Sequence, residues 1–309
     1  MRMATIRSKD PRDLDESGED SVLRCLHCKS LLKVNLARAS TQCRYCGADF
    51  ENLEGIPILV RDRHSIEAMI QEAKKSGRRD WYETPQSSQW HGPYRHHLGK
   101  RRVYLEKTIA KYSRKSTLHR GLDLGCGDGG NLEWLRKYVE ELYGSDYNLL
   151  RLTRAVNSKS AKLLFMADIT DYPANDNIFD LIFFNHVLEH IPEDLKALTE
   201  AHRILKHGGL LIVGVPNEGA MVWQLAYKIQ PKVLKGTDHV HFYTAESLME
   251  KCSEAGLKIL EIKHIGWGIP HWSLDEKIRT YKAIDDLLEK VGRALAPSQA
   301  TSLYLIGTK

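Results

Sequence analysis

The feature that most constrains the fold is a short apolar strand that runs directly into a cluster of glycines. The stretch 122–131 reads LDLGCGDGGN, and a helix-like segment, 132–137, follows it. Glycine lets the backbone turn sharply and approach a ligand closely, and the start of the following helix presents free N–H groups. This arrangement is typical of a site for a nucleoside-containing cofactor. Taken alone, it leaves a dinucleotide and other nucleoside cofactors open.

Short apolar segments alternate with helical stretches over the whole of residues 119–309. Alternation at this spacing favours an α/β fold with a doubly wound, mostly parallel sheet. We expect seven strands in that sheet. The expected strands are 120–124, 140–145, 162–166, 180–185, 209–215, 258–264 and a last one near 302–307.

Four of the six cysteines stand in two CxxC pairs, Cys25/Cys28 and Cys43/Cys46. Two such pairs are a usual ligand set for Zn²⁺, which prefers four ligands in a tetrahedron. The pairs lie close together in a chain that shows no secretory leader, which favours a metal over disulfides. We therefore predict a closed Zn²⁺ site, structural rather than catalytic, in a cysteine unit of residues 21–60. The remaining two cysteines are expected to be bystanders.

Positive charge is concentrated in one middle segment. The whole chain carries +5, whereas residues 61–119 alone carry +8. With 42% apolar and 28% charged residues the chain is too apolar to be disordered, and no apolar run reaches the ~18–20 residues that span a bilayer. Because the first twenty residues contain no apolar leader, we expect a cytoplasmic protein. The predicted organisation is a disordered tail (1–20), the cysteine unit (21–60), a basic helical connector or lid (61–118) and an α/β domain (119–309).

Four further motifs follow the glycine turn in order, and together with it they resemble the class I S-adenosylmethionine-dependent methyltransferases. They are YGSD at 143–146, MADI at 166–169, NHVLEHI at 185–191 and RILKHGG at 203–209. The last resembles the RVLKPGG turn of that family, with His207 in place of proline. The cysteine unit resembles the zinc ribbon of Trm112-like proteins, since its EGIPIL run is similar to their DGIPVLL ending. The resemblance implies a Rossmann-like methyltransferase fold with a small N-terminal zinc ribbon.

The resemblance also implies the cofactor, S-adenosylmethionine, beside the Zn²⁺ ion. It assigns Asp146 to the ribose hydroxyls, Asp168 to the adenine amino group and Ile169 to packing against the adenine ring. The other residues that it implies in cofactor binding are Asp123, Gly125, Gly127, Gly129, Tyr147 and Asn185.

Histidines beside the fourth strand are candidates for acid–base catalysis, since ligands bind at the carboxyl ends of strands and histidine titrates near neutrality. We predict His186, His190 and His241 as catalytic residues, with His239 as a further candidate. A structural role for the VLEH motif stays open, because that motif accompanies many different acceptors in the superfamily. The spacing also resembles the metal-binding ExxEH of ubiquinone-type O-methyltransferases, with His186 replacing the first Glu. A divalent metal at His186, Glu189 and His190 is therefore a second hypothesis.

Aromatic residues flank the expected site, and we predict a small-molecule acceptor because aromatic lining suits an organic or lipid-like compound. Simple packing of these aromatics is the alternative. An RNA base of rRNA or tRNA is the rival acceptor, since the basic segment interleaves aromatics and zinc ribbons precede the catalytic domain of some ribosomal RNA methyltransferases. A non-catalytic cofactor-binding scaffold is a third interpretation. Separately, the insertion 266–300 is a candidate homodimer contact. The aromatic residues are Trp81, Tyr82, Trp90, Tyr94, Trp223, Tyr227 and Tyr243.

Overall fold

A computed structural model describes residues 22–73, 75, 91–113 and 117–309 of the chain. The predicted disordered tail, 1–20, lies outside the described residues, as do the predicted acceptor-region aromatics Trp81, Tyr82 and Trp90. Within the described ranges, no helix is both long enough and apolar enough to cross a membrane.

The described strands form one mixed sheet. They are β1 (Ser40–Gln42), β2 (Asp49–Leu53), β3 (Ile56–Leu59), β4 (Leu118–Leu124), β5 (Val139–Asp146), β6 (Leu163–Ala167), β7 (Phe179–Asn185), β8 (Leu205–Pro216), β9 (Lys258–Ile265) and β10 (Ser302–Thr308). Their order across the sheet is β1-β2-β3-β6-β5-β4-β7-β8-β10-β9. The strands from β3 to β8 in this order are parallel, and β10 and β9 are antiparallel to their neighbours. A strand is present at each of the seven predicted positions, which confirms the Rossmann-like α/β fold.

The predicted number of strands is wrong, because the sheet has ten strands and not seven. The three additional strands belong to the cysteine unit. Its last strand, β3, pairs in parallel with β6 through Ile58 opposite Met166 and Leu59 opposite Ala167. All four residues of β3 are buried, and a strand that covers the edge of β6 satisfies hydrogen-bonding groups that an exposed edge would leave unpaired.

The two faces of the sheet bury separate hydrophobic clusters. On β7, Ile182 and Phe184 pack in one cluster, whereas Leu181 and Phe183 pack in the other. Since side chains alternate across a strand, a strand that is apolar on both sides belongs in the interior of a parallel sheet. The first cluster also contains residues of the cysteine unit, Leu26 among them, so the unit and the α/β fold share a core.

The described helices lie in the connector and between the strands of the α/β fold. Thr244 caps the helix that begins at Ala245, in a capping box with Ser247. The chain at Tyr281 is extended and separates two helices within the insertion 266–300. The helices are α1 (Arg63–Ala73), α2 (Arg95–Tyr112), α3 (Leu132–Leu135), α4 (Leu149–Val156), α5 (Asp194–Ile204), α6 (Met221–Ile229), α7 (Pro231–Gly236), α8 (Ala245–Glu254), α9 (Trp272–Arg279) and α10 (Lys282–Leu295).

Candidate active site

The glycine turn connects β4 to α3 at the carboxyl edge of the sheet. Gly125, Gly127 and Gly129 all have positive φ, at 80°, 54° and 81°. A Cβ atom at Gly125 would collide with both methyl groups of Val187, which lies in the loop after β7. Glycine is therefore required at this position both by the backbone conformation and by the close approach of the neighbouring loop.

Asp146 is the last residue of β5 and faces the glycine turn. Its Oδ2 atom accepts the N–H of Gly127 at 2.8 Å, and its Oδ1 atom accepts the N–H of Asn148 at the same distance. Burial raises the pKa of Asp146. A carboxylate has lone pairs beyond those two bonds, so it can also accept ribose hydroxyls. Tyr147, the next residue, is half-buried.

Asp123 and Asn185 each present a buried oxygen that has no hydrogen-bond partner among the described residues: Oδ2 of Asp123 and Oδ1 of Asn185. Burial, with a further contribution from the Asp146 carboxylate, raises the pKa of Asp123 to about 8. Buried polar atoms are normally paired, so these two oxygens indicate that a ligand supplies the missing donors. Together with the glycine turn, they fit a polar cofactor such as S-adenosylmethionine.

Asp168 and Ile169 follow β6. Asp168 is exposed, and its Oδ1 atom accepts both the backbone N–H and the hydroxyl of Thr170 at 2.8 Å. Ile169 is buried. The predicted cofactor residues thus stand at the carboxyl ends of the adjacent strands β6, β5, β4 and β7, where open α/β sheets bind ligands.

His186, in the loop after β7, lies between the carboxylate of Glu189 and the guanidinium of Arg101. Its Nδ1 atom is 3.4 Å from Oε1 of Glu189, and its Nε2 atom is 3.1 Å from Nη1 of Arg101. Loss of solvent lowers the pKa of His186, and the Arg101 guanidinium lowers it further against the opposing effect of Glu189. We assign the proton of this ring to Nδ1, because Nε2 faces a group that can only donate. His186 also has a positive φ of 55°, which marks a constrained backbone.

His190 and His239 come together with Glu189. The three residues each offer one potential ligand atom, and these atoms lie within 4.8 Å of one another. His190 Nδ1 is 2.9 Å from Asp238 Oδ1, and the Asp238 and Glu189 carboxylates raise the pKa of His190 although burial opposes them. Burial would raise the pKa of Glu189, but the neighbouring histidines outweigh it and lower that pKa.

His241 is placed elsewhere. Its Nε2 atom lies 3.0 Å from the carbonyl oxygen of Ile191 and 3.3 Å from that of Pro192. This contact ties the segment before α8 to the start of α5 and keeps the ring out of the Glu189 cluster.

Sequence reasoning did not single out Arg101, Glu218 or Asp238 as site residues. Arg101 comes from the connector helix α2 and also donates to the Ser302 hydroxyl on β10. Glu218 accepts from His239 Nδ1 at 2.6 Å and from the hydroxyl of Tyr227. No local pattern predicts these contacts, since each joins residues from different elements.

Those residues of the predicted aromatic lining that the structure describes are mainly engaged in packing. Trp223 and Trp272 pack in a tilted arrangement with ring centroids 4.8 Å apart, and the Tyr243 hydroxyl donates to Asp194 at 2.7 Å. Tyr94 lies with its ring 5.9 Å from the Arg279 guanidinium. The described aromatics therefore pack in the core around the site, which supports the packing alternative at least as well as a role in acceptor binding.

The four predicted metal ligands of the cysteine unit are brought together. The Sγ atoms of Cys25 and Cys46 are 3.7 Å apart, and those of Cys28 and Cys43 are 3.6 Å apart. Tetrahedral Zn²⁺ with Zn–S bonds of ~2.3 Å would place sulfurs ~3.8 Å apart, so the spacing fits that ion. Hydrogen bonds from Ser30 lower the pKa of Cys28 to about 6, which favours the thiolate that a metal needs.

Both CxxC turns are closed by the same type of backbone hydrogen bond. The carbonyl of Cys25 accepts the N–H of Lys29 at 2.9 Å, and the carbonyl of Cys43 accepts that of Gly47 at 3.0 Å. Lys29 and Gly47 both have positive φ, at 62° and 76°. The matching turns point two pairs of sulfurs toward one another.

The family described as a methyltransferase domain matches residues 122–213. The demethylmenaquinone methyltransferase of Lactiplantibacillus plantarum is 29% identical over 169 residues, which are 50% of this chain and 70% of that protein. The malonyl-[acyl-carrier protein] O-methyltransferase of Buchnera aphidicola is 32% identical over 100 residues, or 32% of this chain and 40% of that protein. A protein of Encephalitozoon cuniculi is 27% identical over 190 residues, or 54% of this chain and 80% of that protein.

Solved structures are also similar. A S-adenosylmethionine-dependent methyltransferase of Archaeoglobus fulgidus gives a TM-score of 0.44 at 20% identity, covering 66% of this chain and 94% of that one. The complex between the Trm112 methyltransferase activator of Haloferax volcanii and a methyltransferase gives 0.49 at 20% identity, covering 79% and 96%. Residues 122–213 therefore match a methyltransferase domain, and the sequence relatives of the chain include proteins named as methyltransferases.

Proposed function

We propose that the protein transfers a methyl group from S-adenosylmethionine to a small-molecule acceptor. One observation carries the proposal. Adjacent strand ends place Asp123, Asp146 and Asn185 around a glycine turn, and two buried oxygens there lack donors among the described residues. A ligand with several hydrogen-bond donors fits this surface.

In this proposal the backbone of the glycine turn lies against the cofactor, and Asp146 accepts its ribose hydroxyls. Asp168 accepts from the adenine amino group, and Ile169 packs on the ring. Asp123 and Asn185 accept from the remaining donors of the bound cofactor, which removes the desolvation penalty of their unpaired oxygens.

S-adenosylmethionine supplies an already activated methyl group, whose carbon accepts an electron pair from the acceptor while the C–S bond breaks and leaves a neutral thioether. The protein then has to position the acceptor and exclude water. Each predicted base has a ring nitrogen committed to another group: His186 to Arg101, His190 to Asp238 and His241 to a carbonyl. We therefore place His186 and His190 in acceptor positioning and His241 in holding the loop.

Charge pairing favours a small molecule over RNA. Five of the nine described cations of the basic connector pair with acids, three of which come from distant segments, so fewer cations remain to hold phosphates. The pairs are Arg61 with Asp171, Arg63 with Glu67, Lys100 with Asp285, Arg102 with Glu106 and Lys111 with Glu261. Two relatives, the demethylmenaquinone and malonyl-[acyl-carrier protein] methyltransferases, are also named for acceptors other than RNA.

The test is methyl transfer from radiolabelled S-adenosylmethionine into total RNA and, separately, into a small-molecule extract. We expect label in the extract with the wild-type protein and much less with D146N at a limiting concentration of S-adenosylmethionine. Label in RNA would overturn the small-molecule proposal. Failure of calorimetry to detect S-adenosylmethionine binding would overturn the enzymatic proposal, whereas binding without label in either fraction would favour the scaffold.

We further propose that the four cysteines bind one structural Zn²⁺, and that the chain is organised as the cysteine unit, connector and methyltransferase domain predicted above. Four thiolates complete a tetrahedron, so no coordination position is left for a substrate. Elemental analysis of the purified protein tests the ion.

A homodimer through the 266–300 insertion is a separate proposal. Helix α10 exposes Leu287, Val291 and Leu295 along one side, and an exposed apolar stripe of this kind suits a second copy of the chain. Light scattering of L287E against wild type tests it: we expect a dimer that the variant converts to monomer, and a monomeric wild type would overturn the proposal.

A further inference from the structure

We propose that Glu189, His190 and His239 form a second metal site, which takes a divalent ion of the Zn²⁺ type. The three potential ligand atoms lie within 4.8 Å of one another. This site is distinct from the cysteine cluster and lies in the loops at the carboxyl edge of β7 and β8.

Both imidazoles are oriented as metal ligands usually are. His190 Nδ1 lies 2.9 Å from Asp238, and His239 Nδ1 lies 2.6 Å from Glu218. A histidine that ligates a metal through one ring nitrogen normally donates its other N–H to a carboxylate or carbonyl. The carboxylates therefore leave Nε2 of each ring as the ligand atom. The rings themselves are close, with centroids 4.7 Å apart.

Glu189 supplies independent evidence for an ion. Its side chain is only 1% exposed, and its Oε2 atom is buried without a hydrogen-bond partner among the described residues. Its Oε1 atom is 3.9 Å from His190 Nε2. An unpaired carboxylate oxygen in such a place is unfavourable, and a cation between Glu189 and the two imidazoles would satisfy it.

The backbone holds the three ligands together although His239 is distant in sequence. The carbonyl of Glu189 accepts the N–H of Val240 at 2.8 Å and that of His241 at 3.2 Å. These two hydrogen bonds, which we call the backbone clamp, join the loop that contains the VLEH motif to the segment before α8. His186 is outside the site because its Nε2 atom faces Arg101, so the ligand set differs from the His186, Glu189, His190 set that spacing alone favours.

The donor set indicates the ion and its use. Two imidazoles and one carboxylate suit Zn²⁺ and neighbouring transition ions, and three protein ligands leave a coordination position open. An acceptor oxygen could complete the coordination beside the glycine turn, which Val187 of the same loop contacts. This role in positioning the acceptor rests on the proposed function, whereas metal binding itself does not.

The experiment is metal analysis of the full chain after saturation with Zn²⁺ and removal of loose ion. We expect about two equivalents in the wild type, one in each site, and about one equivalent in E189Q and in H239N. H207A is the control, since His207 is an exposed histidine of β8 outside the cluster, and it should keep about two. Loading with Co²⁺ separates the sites, because only the cysteine site shows thiolate-to-metal charge-transfer absorption.

Wild type with about one equivalent, all of it showing thiolate absorption, would overturn the proposal. So would an unchanged metal content in folded E189Q, which nearly preserves the shape of Glu189 and guards against misfolding of the histidine variant. None of these measurements uses S-adenosylmethionine or an acceptor. A failed metal site with intact methyl transfer would thus leave the proposed function standing.

Discussion

Ile58 of the cysteine unit lies opposite Met166 in parallel register, so that the unit continues the sheet of the α/β fold. The segment that follows β6 is bound to the same unit. Lys29, in the first CxxC turn, forms an ion pair of 3.0 Å with Asp171, two residues after the start of the turn that Asp168 caps. The cysteine turns and the segment after β6, where we propose that the adenine binds, therefore belong to one connected structure.

This connection predicts that loss of the cysteine metal affects the whole fold. We expect C43S to lose Zn²⁺ and to lower the melting temperature by on the order of 10 °C or more in a single transition, because a structural metal stabilises the folded state directly. Calorimetry with elemental analysis checks this. C252S, a buried cysteine outside the cluster, should retain the metal, and a C43S transition that leaves the main melting temperature in place would contradict the prediction.

Replacement of Asp146 tests the ribose contact. Both carboxylate oxygens of Asp146 accept backbone N–H groups, so in D146N the amide NH₂ must face one of those donors. We expect the Kd for S-adenosylmethionine, measured by titration calorimetry, to rise about 10- to 100-fold, since a charge-assisted hydrogen bond is removed and the turn is disturbed. E133Q, at an exposed position on α3, is the control and should bind as wild type does. Equal Kd values would remove Asp146 from the site.

Replacement of Gly125 tests the close approach between the glycine turn and Val187. In G125A the new methyl group would meet Val187 at a backbone φ of +80°, so we expect the free energy of unfolding to fall by about 2 kcal/mol and cofactor binding to be lost. G99A is the matched control: Gly99 lies in α2 with open space around its Cα, and alanine there should be neutral or stabilising by up to ~1 kcal/mol. Urea unfolding compares them. If G125A is as stable as G99A, the close approach to Val187 is wrong.

The strands of the α/β domain could be predicted from the sequence because each is an apolar run between turn residues. The cysteine cluster and the glycine turn could be predicted equally well, since each motif is local in the sequence. The pairing of Ile58 with Met166 was not, because nothing in either strand specifies so distant a partner. The same holds for His239, which reaches Glu189 only through the backbone clamp at Val240, and for Arg101, which reads as one more surface cation of a basic helix.

Asp123 predicts how stability depends on pH in the absence of cofactor. Its pKa is raised to about 8 by burial and by Asp146, compared with ~3.9 in an unfolded chain. Between these values the folded state holds a proton that the unfolded state has released, so the stability contributed by the neutral acid is complete below pH ~4 and is lost as the pH rises through 8. Wild type should therefore become less stable over this range.

In D123N that loss is removed, because an amide is neutral at every pH. We expect urea unfolding to show D123N as more stable than wild type near pH ~8 and much closer to it near pH ~4.5, while its affinity for S-adenosylmethionine falls because a carboxylate contact is gone. The opposite directions of the two effects distinguish a cofactor-binding acid from a structural one. Stability curves for the two proteins that run parallel from pH ~4.5 to ~8 would show that Asp123 is ionised in the folded protein throughout.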